Sequence, residues 1–206
     1  MIFGQGKSVK TKMSDSALIL ASSSRFRRRL LEQLDLPFRC ISPDIDETPL
    51  PNESGEALVR RLSIEKAYAV AHELSGAIVV GSDQTAVHDG QIVGKPKDHA
   101  EAVSQLTNSS GKIITFYTGI ALVNTNNNSL QVGVIPYQVH FRTITLEQIE
   151  RYLERAQPYE CCGSLRVDGL GIALLKRLRG DDPSALIGLP LTKLVQMLKK
   201  EGLDVI

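Results

Sequence analysis

The segment AIVVGSDQTAVHDGQIVG, residues 77–94, constrains the fold more tightly than any other stretch of this chain. A short apolar run is followed by Asp89-Gly90, a dipeptide that suits the positive φ angles of a tight hairpin turn, and then by a second apolar run. A buried strand with an adjacent partner strand is expected. GSDQ (81–84) places an acid directly behind the apolar run, at or near the end of that strand. A carboxylate there needs a hydrogen bond, a cation or a metal, because desolvating it alone is costly. Asp83 is therefore the strongest single candidate for chemistry, against the plainer reading of an aspartate that starts a turn. Open α/β sheets hold ligands beyond their strand ends, where this side chain would project.

The rest of the chain alternates around this hairpin. ALILA (17–21) reads as a strand, and Phe26, Leu30 and Leu34 behind it fall at helical spacing, with Ser24 or a neighbouring serine as N-cap. FRCIS (38–42) reads as a strand and residues 43–56 as a proline-rich acidic loop; an amphipathic helix carrying Lys66 is expected from Glu56 to Leu74. Helices are expected at His99–Leu106 and Leu146–Ala156, and strands over 112–124 and 131–144. GLGIALLKRL reads as a strand, GDDPSALIGLP as a loop, and LTKLVQMLKKEG as a helix closed by a glycine. Together these predict an α/β protein with a mixed twisted β-sheet and flanking helices. Its 206 residues suffice for one structural unit, expected over 17–206, behind a flexible tail over 1–16 in which Met13 is an alternative start.

Several function classes drop out. A net charge of +1, from 24 basic and 23 acidic residues, leaves no general field for nucleic acid or anionic membrane, so an anion site must be local. No apolar run approaches a membrane span, and the N-terminus lacks the apolar core of a secretory signal, so a cytoplasmic protein is expected. The three cysteines match neither a disulfide framework nor a zinc site and read as reduced, buried thiols. No P-loop, GxGxxG, HExxH or nucleophile-elbow pattern occurs.

Three further clusters can carry chemistry beside GSDQ. In SSSRFRRRLLEQL (22–34), serines and arginines crowd a helix start, where free N–H groups and the helix dipole favour an anion; a solvated helix end is the competing reading. Asp44, Asp46 and Glu47 alternate through the proline-held loop, at a spacing that can share a hard divalent cation or can simply be solvated. Lys95, fixed in GKP (94–96), and Lys66 could neutralise phosphoryl oxygens near such carboxylates.

Taken together and in order, LILASSSRFRRRLL, DIDETP, EKA, GSDQ, GKP, YTG and GLP resemble the Maf family of nucleotide pyrophosphatases, from about Leu18 to the C-terminus. Gln84 after Asp83, with VHFR and CGSLRVDGLG, is most similar to the branch that hydrolyses 7-methyl-GTP. The resemblance implies a Maf/ITPase-like fold with two lobes around a central cleft, in an enzyme that is often a homodimer. It further implies hydrolysis of a nucleoside triphosphate to monophosphate and pyrophosphate with a divalent cation (magnesium, manganese or cobalt). It makes Asp83 the proton acceptor, puts Glu47, Lys66 and Lys95 on polar catalytic positions, and gives Glu47 and Asp83 to the metal. Ser22 and Arg27 fall on its opening motif as substrate-binding groups, and Phe26, Gln84 and Asp168 fall where base specificity is set. Phe26 stands where tryptophan is common and Asp168 where glutamate is common. The competing readings are a dTTP/UTP-type or broader pyrophosphatase, and a non-catalytic nucleotide-binding protein linked to cell division.

Overall fold

Strand β1 (Ala17–Ala21) lies at the centre of a parallel trio, with β2 (Phe38–Ile41) on one side and β3 (Ala77–His88) on the other. The computed structural model describes residues 17–206, and the tail expected over 1–16, with Met13, lies outside the described residues. Beyond β3 the sheet turns antiparallel through β5 (Ile113–Asn124), β6 (Ser129–Phe141) and β7 (Leu175–Arg179), while the short β4 (Gln91–Val93) folds back on the far end of β3. The result is the expected mixed sheet, seven-stranded, in the order β2-β1-β3-β5-β6-β7 with β4 beside β3. The turn that joins β3 to β4 is built by Asp89 and Gly90, both at positive φ, as the dipeptide predicts.

Alternation along the strands divides the core between the two faces. Leu18 and Leu20 of β1 pack with Ile78, Val80, Ile120 and Leu122 beneath α1 (Arg25–Glu32) and α6 (Leu191–Lys200). Ile19 and Ala21 point the other way, with Val79, Ala121 and Ala67, beneath α2 (Gly55–Ala71). A separate cluster around Phe116, Val139, Leu106 and Leu153 joins the far end of the sheet to α3 (His99–Ser109) and α4 (Leu146–Ala156). No helix among the described residues is long and apolar enough to cross a membrane.

Helix ends follow local chemistry. Ser24 and Ser54 accept hydrogen bonds from the Arg27 and Ala57 amides, and Thr145 with Gln148 forms a capping box on α4. Gly202, at φ +79°, closes α6, with the Leu203 N–H donating to the Leu198 carbonyl over 3.0 Å.

Three expectations fail. GLGIALLKRL is a strand only from Leu175 onward: Leu170–Leu174 form a 3-10 helix that leads into β7. GSDQ does not end a strand: it sits in the middle of β3, because the antiparallel β5 continues to pair past it, Asp83 opposite Gly119. GDDPSALIGLP is not only loop: it contains the short helix α5 (Pro183–Ile187), capped by Asp182 with Pro183 in the first turn.

Candidate active site

The decisive feature is a gap in the sheet. β1 stops at Ala21, paired with Gly81, and β4 joins only at Ala86, so Ser82–Thr85 of β3 have no strand neighbour on that edge. A cleft of about 700 Å³ opens there, at the carboxyl end of β1. It gathers every residue to which the family resemblance gives a role: Ser22, Phe26 and Arg27 from the β1–α1 connection, Glu47 from the acidic loop, Lys66 from α2, Asp83 and Gln84 from β3, Lys95 after β4, and Asp168.

Because neighbouring strand residues face opposite ways, Asp83 and Gln84 reach the cleft from the two sides of the open edge. On the α2 side, helix and sheet come unusually close. A Cβ on Gly81 would collide with the Ser63 carbonyl and one on Gly119 with the Val59 carbonyl, so only glycine allows this approach. Lys66, buried at 4% exposure, is thereby delivered to Asp83. Its Nζ donates to Asp83 Oδ1 over 2.6 Å and lies 2.8 Å from Glu47 Oε1. Asp83 Oδ2 has no partner among the described residues and belongs to a side chain that lines the cleft. Partial burial alone would raise the Glu47 carboxyl; the Lys66 ammonium, with Lys95 and Arg27 farther off, outweighs it and holds Glu47 below the usual carboxylate range.

Of the acidic triplet, then, only Glu47 reaches the site. Asp46 instead accepts a hydrogen bond from the Thr48 amide in its own turn, and Asp44 is exposed. Among the described residues no three His, Cys, Asp or Glu side chains gather as a metal cage. Glu47 and Asp83 each keep one carboxylate oxygen off Lys66, a donor pair that suits a hard cation completing its shell with phosphate oxygens and water.

The cationic groups differ in how firmly they are held. Arg27 Nε donates to the Gly188 carbonyl over 2.8 Å, which fixes the guanidinium and leaves its terminal N–H groups unbonded to the described residues. Lys95 is largely exposed at the rim, 3.9 Å from Glu160. Arg28 pairs with Glu32 on the outside of α1, as expected for the arginines that do not face the cleft. Ser22 is buried and accepts a hydrogen bond from the Ser24 amide, tightening the turn into α1.

On the other side of the edge, Phe26 is half-buried and faces the cleft, where its helical spacing alone suggested a core position. The guanidinium carbons of Arg25 and Arg166 lie 4.9 and 5.7 Å from its ring centroid. Arg166 also sits 3.5 Å from Asp168, joining Phe26 and Asp168 into one wall. Sequence reasoning missed Arg166, which carried no recognised pattern, and missed Asp182, whose Asp-Pro signature was visible as a helix start. Asp182 accepts hydrogen bonds from Ser184 and Thr192, locking α5 to α6. α5 in turn presents the Ala185 and Leu186 carbonyls to the Gln84 amide.

The cysteine expectation holds in part. Cys162 donates its thiol to the Gln84 carbonyl, and burial pushes it up to about 12; burial likewise pushes Cys161 to about 11. Cys40, however, is exposed, because β2 is an edge strand. Alkylation with iodoacetamide at pH 8 should therefore label Cys40 first and leave Cys162 unmodified while the protein is folded. Equal labelling of Cys40 and Cys162 by mass spectrometry would contradict that burial.

A carboxylate with a free oxygen, flanked by fixed cations in an open cleft at a sheet gap, defines an α/β protein built to hold a polyanionic small molecule. The family model described as "Maf-like protein" matches residues 17–201, and the chain belongs to this family. It is 52% identical over 189 residues to the 7-methyl-GTP pyrophosphatase of Nitrosococcus oceani, covering 92% of this chain and 95% of that one. It is 47% identical over 194 residues to the protein of the same name from Vibrio parahaemolyticus, covering 94% and 100%. Among solved structures, the Staphylococcus aureus Ham1 protein aligns at 15% identity and a TM-score of 0.45, over 61% of this chain and 72% of that one.

Proposed function

We propose that this protein is a cytoplasmic nucleotide pyrophosphatase that hydrolyses 7-methyl-GTP to 7-methyl-GMP and pyrophosphate, removing a modified nucleotide. Residues 17–206 act as one catalytic unit, with a homodimer as the assembly that the family resemblance implies. The observation that carries the reading is the buried Lys66–Asp83 pair with Asp83 Oδ2 left for the cleft. The names of the relatives support the choice of substrate.

In this reading Lys66 fixes the Asp83 carboxylate through Oδ1, and Oδ2 takes the proton of the attacking water. Water adds to the α-phosphorus, the bond from that phosphorus to the bridging oxygen breaks, and pyrophosphate leaves. Arg27, held by Gly188, presents its terminal N–H groups to the phosphates, and Lys95 at the rim neutralises the departing pyrophosphate. Ser22 shapes the turn that brings the start of α1 to the same phosphates. A divalent cation (magnesium, manganese or cobalt) held by Glu47 and Asp83 would supply Lewis-acid neutralisation of the phosphoryl oxygens. No side chain has to form a covalent intermediate, because positioning and charge do the work.

Phe26 offers a ring face to the base. N7-methylation makes guanine cationic, so stacking on Phe26 and the charge of Asp168 favour the methylated base, and Gln84 meets its edge. The test is a panel of 7-methyl-GTP, GTP, dTTP and UTP with magnesium, manganese or cobalt, the products identified by mass spectrometry. Turnover should be fastest on 7-methyl-GTP, should yield monophosphate and pyrophosphate, and should stop when the metal is removed with EDTA. Faster turnover of dTTP or UTP would reject the proposed substrate. Binding without pyrophosphate release from any nucleotide would reject the enzyme.

A further inference from the structure

We propose that Thr118 is a positioning residue that, together with the α5 carbonyls, holds Gln84 as an acceptor-only contact, so that the cleft selects a base with N–H donors at N1 and its 2-amino group. This rests on the proposed function for the placement of the base beside Gln84. What is added is the polarity of that contact and a residue that helps to hold it.

The β3–β5 register puts Thr118 directly opposite Gln84, and Thr118 is buried at 1% exposure. Gln84 Nε2 lies 2.8 Å from the Ala185 carbonyl, 3.1 Å from the Leu186 carbonyl and 3.0 Å from Thr118 Oγ1. Carbonyl oxygens only accept, so the amide nitrogen, and not the amide oxygen, must face α5. Thr118 completes the arrangement. Its hydroxyl donates its one proton to the Ala185 carbonyl over 2.8 Å, so toward Gln84 it can only accept.

The two amide protons of Gln84 thus meet three acceptors inside the protein, and neither is left for a ligand. Oε1 takes no hydrogen bond from the described residues and belongs to a side chain on the cleft wall. A fixed acceptor pairs with the N1–H and 2-amino groups of guanine; at the same place adenine presents its N1 acceptor, its one donor on that edge being the 6-amino group, where guanine has O6. Rejection follows because a wrong base leaves polar groups facing each other unpaired. Without Thr118 the amide loses one of its anchors and gains freedom to rotate, which blurs the choice.

The experiment compares Thr118→Val with Thr118→Ser, using 7-methyl-GTP, GTP and ATP. Valine should raise KM for both guanine nucleotides about three- to tenfold, the worth of one buried hydrogen bond, while kcat stays within about twofold. Discrimination against ATP should narrow, and serine should restore both quantities. Equal changes in kcat and KM for guanine and adenine nucleotides, or no rescue by serine in a folded protein, would overturn the inference. If Thr118→Val does not fold, Thr118→Ala takes its place with the same expectations. Equilibrium binding of GMP and AMP provides an independent readout. A wild-type protein that turns over no guanine nucleotide rejects the proposed function, yet preference for GMP over AMP that is lost in Thr118→Val still supports this inference, and its absence in wild type rejects it.

Discussion

Asp83→Asn should fold normally and turn over nucleotide about 10²- to 10⁴-fold more slowly than wild type, the range expected when a general base is removed. The substitution is chosen for its geometry. The asparagine oxygen can still accept from Lys66 at the place of Oδ1, so the pair that holds α2 to β3 keeps a hydrogen bond. What disappears is the oxygen able to take a proton at the cleft. KM should move less than kcat, because Arg27 and Lys95 still meet the phosphates. Steady-state kinetics beside a thermal melt makes the comparison, and near wild-type kcat in a folded variant removes Asp83 from the role of base.

Lys66→Met should cost about 3–5 kcal/mol of stability, the penalty for leaving a buried charge without its partner. For a chain of this size that lowers Tm by about 6–20 °C. The cost falls on Asp83, whose side chain is 10% exposed, more than on Glu47, whose side chain is 58% exposed and can rely on water. Adding Asp83→Asn to Lys66→Met should therefore recover part of the loss, since the stranded group then carries no charge. The double-mutant cycle isolates that coupling. If Lys66→Met melts within about 2 °C of wild type, the pair contributes to chemistry alone and not to holding helix and sheet together.

The acidic loop shows where sequence stops being informative. Asp44, Asp46 and Glu47 are chemically interchangeable as written, and all three could be read as ligands. Only the folded loop decides between them, turning Asp46 onto the Thr48 amide and Glu47 onto Lys66. Phe26 shows the same limit from the other direction. Its spacing with Leu30 and Leu34 argues for a core residue, but Phe26 lies in the first turn of α1, at the carboxyl end of β1 where the cleft opens, so the ring lines the cleft while Leu30 packs into the core. Arg166 carried no local signal at all, because the contact that brings it into the site, over the Phe26 ring, joins residues 140 positions apart, while Asp168 lies only two residues on.

Local chemistry, written in order along the chain, determined the elements and the candidates. Apolar periodicity marked the strands and helices, Asp89-Gly90 marked the hairpin, and an acid behind a buried run marked Asp83, because each of these depends on residues a few positions apart. The tertiary structure decided which of those candidates act together. β1 ends four residues before β4 takes its place on the edge of β3, between Gly81 and Ala86, and that gap lets one strand serve the cleft from both faces. Asp83 meets Lys66 across glycines that admit α2, while Gln84 meets Thr118 and the carbonyls of α5 on the opposite side. Contacts of this kind join residues far apart in the chain, and the only force that specifies them is the packing of helices onto a sheet whose register fixes which side chains share a face.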